Sequence, residues 1–258
     1  MESIFKVNQL SIGYNKGKYT DIISKNISFE LRESQLTALV GANGIGKSTL
    51  LKTLTQIENP LSGDMCLYGR KIQDYTAQEI SKLVSVVWAN NPIQANLTVF
   101  DLVALGRHPY TNWIGMLTKT DARAIEEALT LTHCLDISHK KCYEISDGQL
   151  QKAMIARSLA QHTPVIILDE PTTHLDVYHK VFILKLLKKL AAEQNKTILF
   201  STHEIDMAIQ VCDQMILMKN DKVVSGEPCE LIENHEFSAV FPSDLVDFNE
   251  STGRFTIK

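Results

Sequence analysis

The residues best suited to chemistry form a glycine-rich segment, the phosphate loop, with the sequence Gly41-Ala42-Asn43-Gly44-Ile45-Gly46-Lys47-Ser48. The segment fits the pattern G-x-x-x-x-G-K-[ST], in which backbone N–H groups and a lysine surround phosphate oxygens. The apolar run LTALVG predicts a buried strand before it, and the following residues predict a helix whose N-terminal end favours phosphate. We expect Lys47 to reach the β- and γ-phosphates, Ser48 to hold Mg²⁺ and Thr49 to assist at the α-phosphate side.

Two neighbouring carboxylates and a histidine follow other predicted strands. Asp169 and Glu170 come directly after the apolar run VIIL, and His203 follows the run TILFST. Ligands gather at the carboxyl edge of open α/β sheets, so we expect these side chains near the phosphate loop. Asp169 is the candidate Mg²⁺ ligand, Glu170 the candidate base that polarises an attacking water, and His203 a candidate contact to the γ-phosphate. A lone histidine is more often an ordinary side chain, and that alternative stays open.

Apolar patterning predicts an α/β fold around these residues. Alternation near residues 3–9 and 27–31 predicts antiparallel strands. A parallel sheet covered by helices is predicted from the compact apolar runs at 83–88, 164–170, 196–202 and 214–219. Helical periodicity dominates residues 92–160 and predicts an inserted helical subdomain. The final stretch, LVDFNESTGRFTIK, predicts a terminal hairpin.

Composition indicates a globular chain and disfavours a nucleic-acid partner. The 258 residues are 44% hydrophobic with a formal charge of −4, so no global basic field attracts nucleic acid. The first residues lack a secretory signal pattern, and no apolar run reaches the ~18–20 residues that span a bilayer. We therefore expect a cytoplasmic chain without a membrane span of its own. The segment HCLDISHKKC (133–142) contains two cysteines and two histidines, to which we assign no metal.

A second motif narrows the class. Ile145-Ser146-Asp147-Gly148-Gln149 resembles the L-S-G-G-Q signature of the ABC ATPases. The resemblance covers nearly the whole chain, because Tyr14 matches the aromatic residue that stacks on adenine, Leu175-Asp176 the D-loop and Ser201-Thr202-His203 the switch histidine. An aromatic residue in an edge strand also packs commonly against its neighbours, so both readings of Tyr14 remain open.

The resemblance implies an α/β P-loop NTPase core with an antiparallel β-subdomain and an inserted α-helical subdomain. It implies one ABC nucleotide-binding domain over residues 1–258, with the helical subdomain near 92–160 and a short C-terminal extension near 233–258. The implied cofactors are ATP and Mg²⁺.

In that family two nucleotide domains enclose two ATP molecules head to tail, and the implied assembly is a homodimer. Ser146 and Gly148 would contact the γ-phosphate across the interface, so that the dimer closes only when this phosphate is present. The remaining residues implied to contact nucleotide are Gly41, Asn43, Gly44, Gly46, Gln149 and Asp176.

The chain departs from the family pattern at two positions. Asp147 stands where the signature usually has its first glycine, and we predict that activity survives because Ser146 and Gly148 are intact. Ala89 stands where the family usually has a glutamine that contacts Mg²⁺ and couples to the membrane subunit. A shifted loop would let Asn90 or Gln94 substitute, so we expect looser coupling rather than inactivity.

The segment 97–115 is similar to the corresponding region of importers of iron-siderophore, haem and cobalamin type, through the stretch ALGRHPY. That resemblance implies transmembrane permease subunits and, indirectly, a substrate-binding protein as partners, with this chain peripheral on the inner face of the membrane. Arg107 and Tyr110 are candidate anchors for the permease, and an ordinary helix-ending loop is the equal alternative.

Two other functions remain open. One is a soluble ABC ATPase that serves iron–sulfur assembly, chromosome maintenance or the ribosome, although the chain has one nucleotide domain and no long heptad insertion. The other is a subunit with degenerate catalysis, which Glu170 and His203 disfavour.

Overall fold

The computed structural model describes residues 3–17, 19–89, 96–112, 114–220, 222–240, 246–250 and 252–257. The chain divides into two compact units. The first unit comprises residues 1–75 and 188–258, and the second comprises residues 76–187. The phosphate loop therefore belongs to the first unit, whereas the carboxylate pair and the signature-like segment belong to the second.

The elements are numbered in chain order. The strands are β1 Ser3–Lys16, β2 Tyr19–Arg32, β3 Leu36–Gly41, β4 Ser62–Leu67, β5 Arg70–Lys71, β6 Val84–Val87, β7 Val165–Leu168, β8 Thr197–Ser201, β9 Gln214–Met218, β10 Val223–Gly226, β11 Val246–Asn249 and β12 Arg254–Ile257. The α-helices are α1 Lys47–Leu54, α2 Ala77–Leu83, α3 Val99–Ala104, α4 Lys119–Leu131, α5 Asp147–Ala160, α6 Val177–Gln194, α7 Ile205–Val211 and α8 Pro228–Glu233.

An antiparallel sheet in the first unit has the order β2-β1-β4-β5. β1 and β2 pair antiparallel, which confirms the strands predicted near 3–9 and 27–31. Both strands are 14 residues long and exceed the predicted segments. Residues 19–22 of β2 are exposed and show no apolar alternation, so the pairing of the two strands rather than burial extends them.

Four further strands of the first unit lie in the order β10-β9-β3-β8. β3 pairs parallel with both β8 and β9, and every residue of these three strands is buried. Full burial explains why their sequences are continuous apolar runs rather than alternating ones. β10 differs in direction from the other three strands, because it pairs antiparallel with β9.

The predicted terminal hairpin is confirmed by the antiparallel pair of β11 and β12. Phe248 of β11 stacks on Phe237 with ring centroids 4.8 Å apart, and it meets Phe255 of β12 edge-on at 5.0 Å. Phe237 is completely buried, so this aromatic cluster anchors the hairpin within the first unit.

The second unit joins the parallel pair β6 and β7 to a group of helices. The periodic segments between residues 98 and 161 form α3, α4 and α5 as predicted. Each of these helices begins with a capping box, in which a Thr or Ser hydroxyl accepts the N–H of the third helical residue and that residue's side chain reciprocates. The sequence pattern thus sets the starts of the helices locally.

Arg107 is a buried residue of the second unit and only 6% exposed. Its Nε donates to Asp121 Oδ1 at 2.8 Å and its Nη1 donates to the Ala160 carbonyl at 2.7 Å. The guanidinium also lies 4.0 Å from the ring centroid of Tyr110, which is 38% exposed. These contacts assign Arg107 a role inside the second unit, where it joins α4 and the end of α5.

Candidate functional site

The phosphate loop connects β3 to α1, and two of its glycines lie where a side chain would collide with neighbouring atoms. Gly46 has a φ of +110°, and a Cβ on it would lie 2.5 Å from Ile23 Cγ2. A Cβ on Gly41 would lie 2.7 Å from the Met218 carbonyl oxygen. The loop is therefore a narrow backbone cradle, the form that lets N–H groups approach phosphate.

Lys47 is bent back over this loop. Its Nζ donates to the Gly41 carbonyl at 2.8 Å and to the Ala42 carbonyl at 3.2 Å, and the residue is only 5% exposed. These carbonyls hold the ammonium group over the cradle, where it adds positive charge to the helix N-terminus.

Tyr14 of β1 lies against the same helix. Its hydroxyl is 3.2 Å from Thr49 Oγ1, and the tyrosine is half-buried. The bond places two of the predicted site residues side by side and fixes the position of the tyrosine ring relative to the phosphate loop. Stacking of this ring on adenine stays a prediction.

His203 lies at the edge of the first unit from which the phosphate loop emerges. β3 and β8 are parallel with Leu39 opposite Ser201, and the Thr202 N–H donates to the Leu39 carbonyl at 3.1 Å. His203 is exposed and follows directly. The structure therefore brings this histidine to the strand edge that the sequence predicts.

Asp169 and Glu170 follow β7 in the second unit, and their backbones differ. The Asp169 N–H donates to the Val87 carbonyl at 2.8 Å and the residue is 7% exposed. Glu170 has a left-handed φ of +48°, an uncommon conformation for a glutamate. Its Oε2 accepts the Thr173 hydroxyl at 3.1 Å. Neither the left-handed turn nor the threonine contact was predicted, because both depend on the path of the following loop.

The signature-like segment forms the start of α5. Ser146 is the N-cap, and its Oγ accepts the Gln149 N–H at 3.3 Å while Gln149 Oε1 accepts the Ser146 N–H at 3.1 Å. The cap uses the serine oxygen as an acceptor and leaves its O–H able to donate. Gly148 is buried in the first turn of the helix.

The two departures from the family pattern line one cavity of the second unit. Asp147 and Ala89 share a space of about 260 Å³ with Trp88, Gln151 and His174. The sequence gives no sign of this proximity, because Asp147 starts a helix and Ala89 follows a strand far away in the chain. Asn90 and Gln94, the predicted substitutes for Ala89, lie outside the described residues.

Asp176 lies just before α6, and its carboxylate bonds to a residue that the sequence did not single out. Asp176 Oδ1 accepts the His179 backbone N–H at 2.8 Å and lies 2.9 Å from His179 Nδ1. These bonds lower the pKa of the Asp176 carboxyl, the backbone bond first and the side-chain bond second. Because the contact is local in the sequence, an aspartate three residues before a histidine at a helix start was a usable signal.

A buried parallel strand that leads into a glycine-walled phosphate cradle and a helix defines a P-loop nucleotide-binding protein. The family model described as "ABC transporter" matches residues 24–173. The chain belongs to the ABC transporter family, and its activity is the binding and hydrolysis of ATP.

Similar proteins cover the chain almost completely. An uncharacterized ABC transporter ATP-binding protein, MJ0873 of Methanocaldococcus jannaschii, is 38% identical over 99% of this chain and 87% of its own length. The ferric enterobactin transport ATP-binding protein FepC of Escherichia coli is 35% identical over 87% of this chain and 82% of its own length. A putative metal-chelate type ABC transporter in an inward-facing conformation has the same fold, with a TM-score of 0.81 over 99% of this chain and 96% of that chain at 24% identity.

Replacement of Asp147 by glycine is expected to change ATP hydrolysis by no more than about fivefold. A unit charge 4 Å from another in water-like surroundings contributes about 1 kcal/mol, which corresponds to that factor. Steady-state phosphate release checks the expectation, with Asp147→Asn as the matched variant that removes only the charge. If the natural chain forms no ATP-dependent dimer and Asp147→Gly restores one, the expectation is wrong.

Proposed function

We propose that this chain powers the uptake of a metal chelate of the iron-siderophore, haem or cobalamin class. The 35% identity to the ferric enterobactin transport protein, over 87% of this chain, carries the proposal. The chain would act as a homodimer bound to permease subunits on the inner face of the cell membrane, with a substrate-binding protein as an indirect partner. Within the described residues, no helix is long and apolar enough to cross a membrane.

In the proposed mechanism the phosphate loop binds the triphosphate of ATP. The backbone N–H groups of the loop and the N-terminus of α1 hold the phosphate oxygens, and Lys47 neutralises charge on the β- and γ-phosphates. The narrow cradle at Gly41 and Gly46 fits a group that the backbone must approach closely. Adenine would stack on Tyr14, and the further loop contacts are Asn43, Gly44, Ser48 and Thr49.

Two oxygen donors are proposed to hold Mg²⁺. A serine hydroxyl and a carboxylate are the hard ligands that this ion prefers, and Ser48 and Asp169 provide them. The ion would supply positive charge that stabilises the leaving phosphates. Asp169 is 7% exposed, so its carboxylate is held at the strand end rather than in solvent.

Hydrolysis is assigned to Glu170 and His203. The Glu170 carboxylate would accept a proton from the attacking water, and the left-handed backbone with the Thr173 contact orients it. His203 would contact the γ-phosphate and help to orient that water.

The second copy of the chain would complete each site. Ser146 has a hydroxyl hydrogen that the helix cap does not use, and the N-terminal end of α5 favours negative charge. Ser146 and Gly148 would therefore contact the γ-phosphate held by the partner subunit, with Gln149 and Asp176 as further contacts to that nucleotide. Binding energy that appears only with this phosphate closes the dimer, and hydrolysis releases it.

The proposal is tested by uptake in cells from which this chain has been deleted. We expect loss of uptake of one labelled chelate among ferric siderophore, haem and cobalamin, with restoration by the natural chain. Lys47→Ala should fail to restore uptake and should lower ATP hydrolysis by about 10²–10³-fold, since it removes a charge from the transition state. Lys52→Ala, in the same helix, is the matched control. Unchanged uptake of all three chelates, together with intact ATP hydrolysis, would exclude the proposed substrate class.

A further inference from the structure

His179 lies in the first turn of α6 and makes two bonds to one carboxylate oxygen. Its backbone N–H and its Nδ1 lie 2.8 Å and 2.9 Å from Asp176 Oδ1. Because a carboxylate at neutral pH only accepts, the Nδ1 atom carries the donated hydrogen. The backbone bond is an ordinary helix cap, but the ring bond is additional and fixes the orientation of the imidazole.

The same imidazole lies against the signature-like segment. A Cβ on Gly148 would lie 2.8 Å from His179 Cδ2, 3.0 Å from Cγ and 3.1 Å from Nε2. Real Cβ atoms do not approach ring atoms this closely, so the ring occupies the space that a side chain at position 148 would need. The first turns of α5 and α6 are therefore in direct contact through one histidine ring and one glycine.

We propose that His179 is a positioning residue that holds Asp176 and Gly148 in one arrangement, so that both segments face the partner copy together. The inference rests on the proposed function, in which both residues contact the nucleotide held by a second copy. His179 itself touches neither nucleotide nor reacting atoms in this mechanism.

The contact between the two side chains is expected to contribute little to stability. The Asp176 side chain is 66% exposed and that of His179 26% exposed, and a polar contact that reaches this far into solvent is weakened by water. The bond between His179 Nδ1 and Asp176 restricts the orientation of both side chains more than it stabilises the fold. Its effect is therefore expected in turnover and dimer formation, where a displacement of about 1 Å can cost up to 100-fold.

Three substitutions separate the two contacts of the ring. His179→Asn keeps an N–H donor near the position of Nδ1, His179→Phe keeps a ring against Gly148, and His179→Ala removes both. We expect His179→Ala to lower kcat for ATP by about tenfold or more while KM changes by less than about threefold. His179→Asn should recover part of this loss. The melting temperature should change by less than about 2 °C in all three variants.

The contact itself has a test that does not need ATP hydrolysis. Gly148→Ala should lower the melting temperature by about 2–6 °C in the natural chain, because the new methyl group collides with the ring. The loss should shrink by half or more when His179→Ala is present. An equal loss in both backgrounds would show that the two residues do not share this space.

The natural chain and Lys47→Ala are measured beside these variants. If Lys47→Ala hydrolyses ATP as fast as the natural chain, the proposed function fails. The melting experiment still tests the contact between His179 and Gly148 in that case. If Lys47→Ala is inactive but His179→Ala keeps full kcat and forms the ATP-dependent dimer, the positioning role alone is overturned. A fall in kcat matched by a melting temperature lowered by more than about 2 °C would likewise overturn it, because ordinary structural damage would explain both.

Discussion

Replacement of Glu170 by glutamine is expected to lower kcat for ATP hydrolysis by about 10²–10⁴-fold. Glutamine has nearly the shape of glutamate but cannot accept the proton of the attacking water. The side chain leaves a left-handed backbone and bonds to Thr173, so the substituted amide should occupy the same place. Phosphate release at saturating ATP and Mg²⁺ measures the loss.

The same variant should accumulate an ATP-bound dimer, since binding is kept and the step that releases the clamp is blocked. Size-exclusion chromatography in ATP and Mg²⁺ detects this species. Glu193→Gln, an exposed carboxylate on α6, is the matched control and should hydrolyse ATP at the natural rate. Turnover by Glu170→Gln within about threefold of the natural chain would assign the base to another residue.

Replacement of Arg107 by methionine is expected to lower the free energy of unfolding by about 3–5 kcal/mol. The change leaves the Asp121 carboxylate, whose side chain is 4% exposed, without its cationic partner. It also removes the donor to the Ala160 carbonyl. Urea denaturation followed by circular dichroism measures the loss.

Charge removal at both positions should restore part of that stability. In Arg107→Met with Asp121→Asn, no unpaired charge is buried, so the double variant is expected to be more stable than Arg107→Met alone. Strict additivity of the two single changes would show that the residues do not interact as described.

The pH dependence of this pair follows from the carboxyl group. Bonds from the Thr118 hydroxyl and N–H, followed by the bond and charge of Arg107, lower the pKa of Asp121 to about 2. The unfolded chain has the ordinary value of about 3.9. A lowered pKa contributes stability that is fully present above about pH 4 and is lost as the pH falls toward 2. The unfolding free energy of the natural chain, measured relative to that of the double variant, should therefore fall as the pH drops from about 4 toward 2.

The position of Arg107 also bears on how the chain would meet a permease. On the resemblance to importers alone, Arg107 and Tyr110 are equally well explained as anchors for the permease or as residues of an ordinary helix-ending loop. The buried bonds of Arg107 favour the second reading for that residue, whereas Tyr110 keeps 38% of its surface exposed. Tyr110, which the Arg107 guanidinium orients, therefore stays the candidate for a contact of this turn with a partner.

The sequence by itself determined the parts of this protein that depend on local rules. The phosphate loop is recognisable because its glycines and lysine have fixed spacing, and the buried strands because full burial demands continuous apolar residues. The starts of α3, α4 and α5 also follow a local rule, since capping boxes operate within four residues. From these parts came the class of fold, the nucleotide chemistry and the order of the elements.

The tertiary structure decided what depends on residues far apart in the chain. It placed His179 against Gly148, brought Asp147 and Ala89 to one cavity, and buried Arg107 against Asp121. No local pattern encodes such contacts, because each arises only when packed elements bring side chains from separate segments within a few ångströms. The left-handed backbone of Glu170 likewise depends on the path of the loop after β7, which the local sequence does not specify.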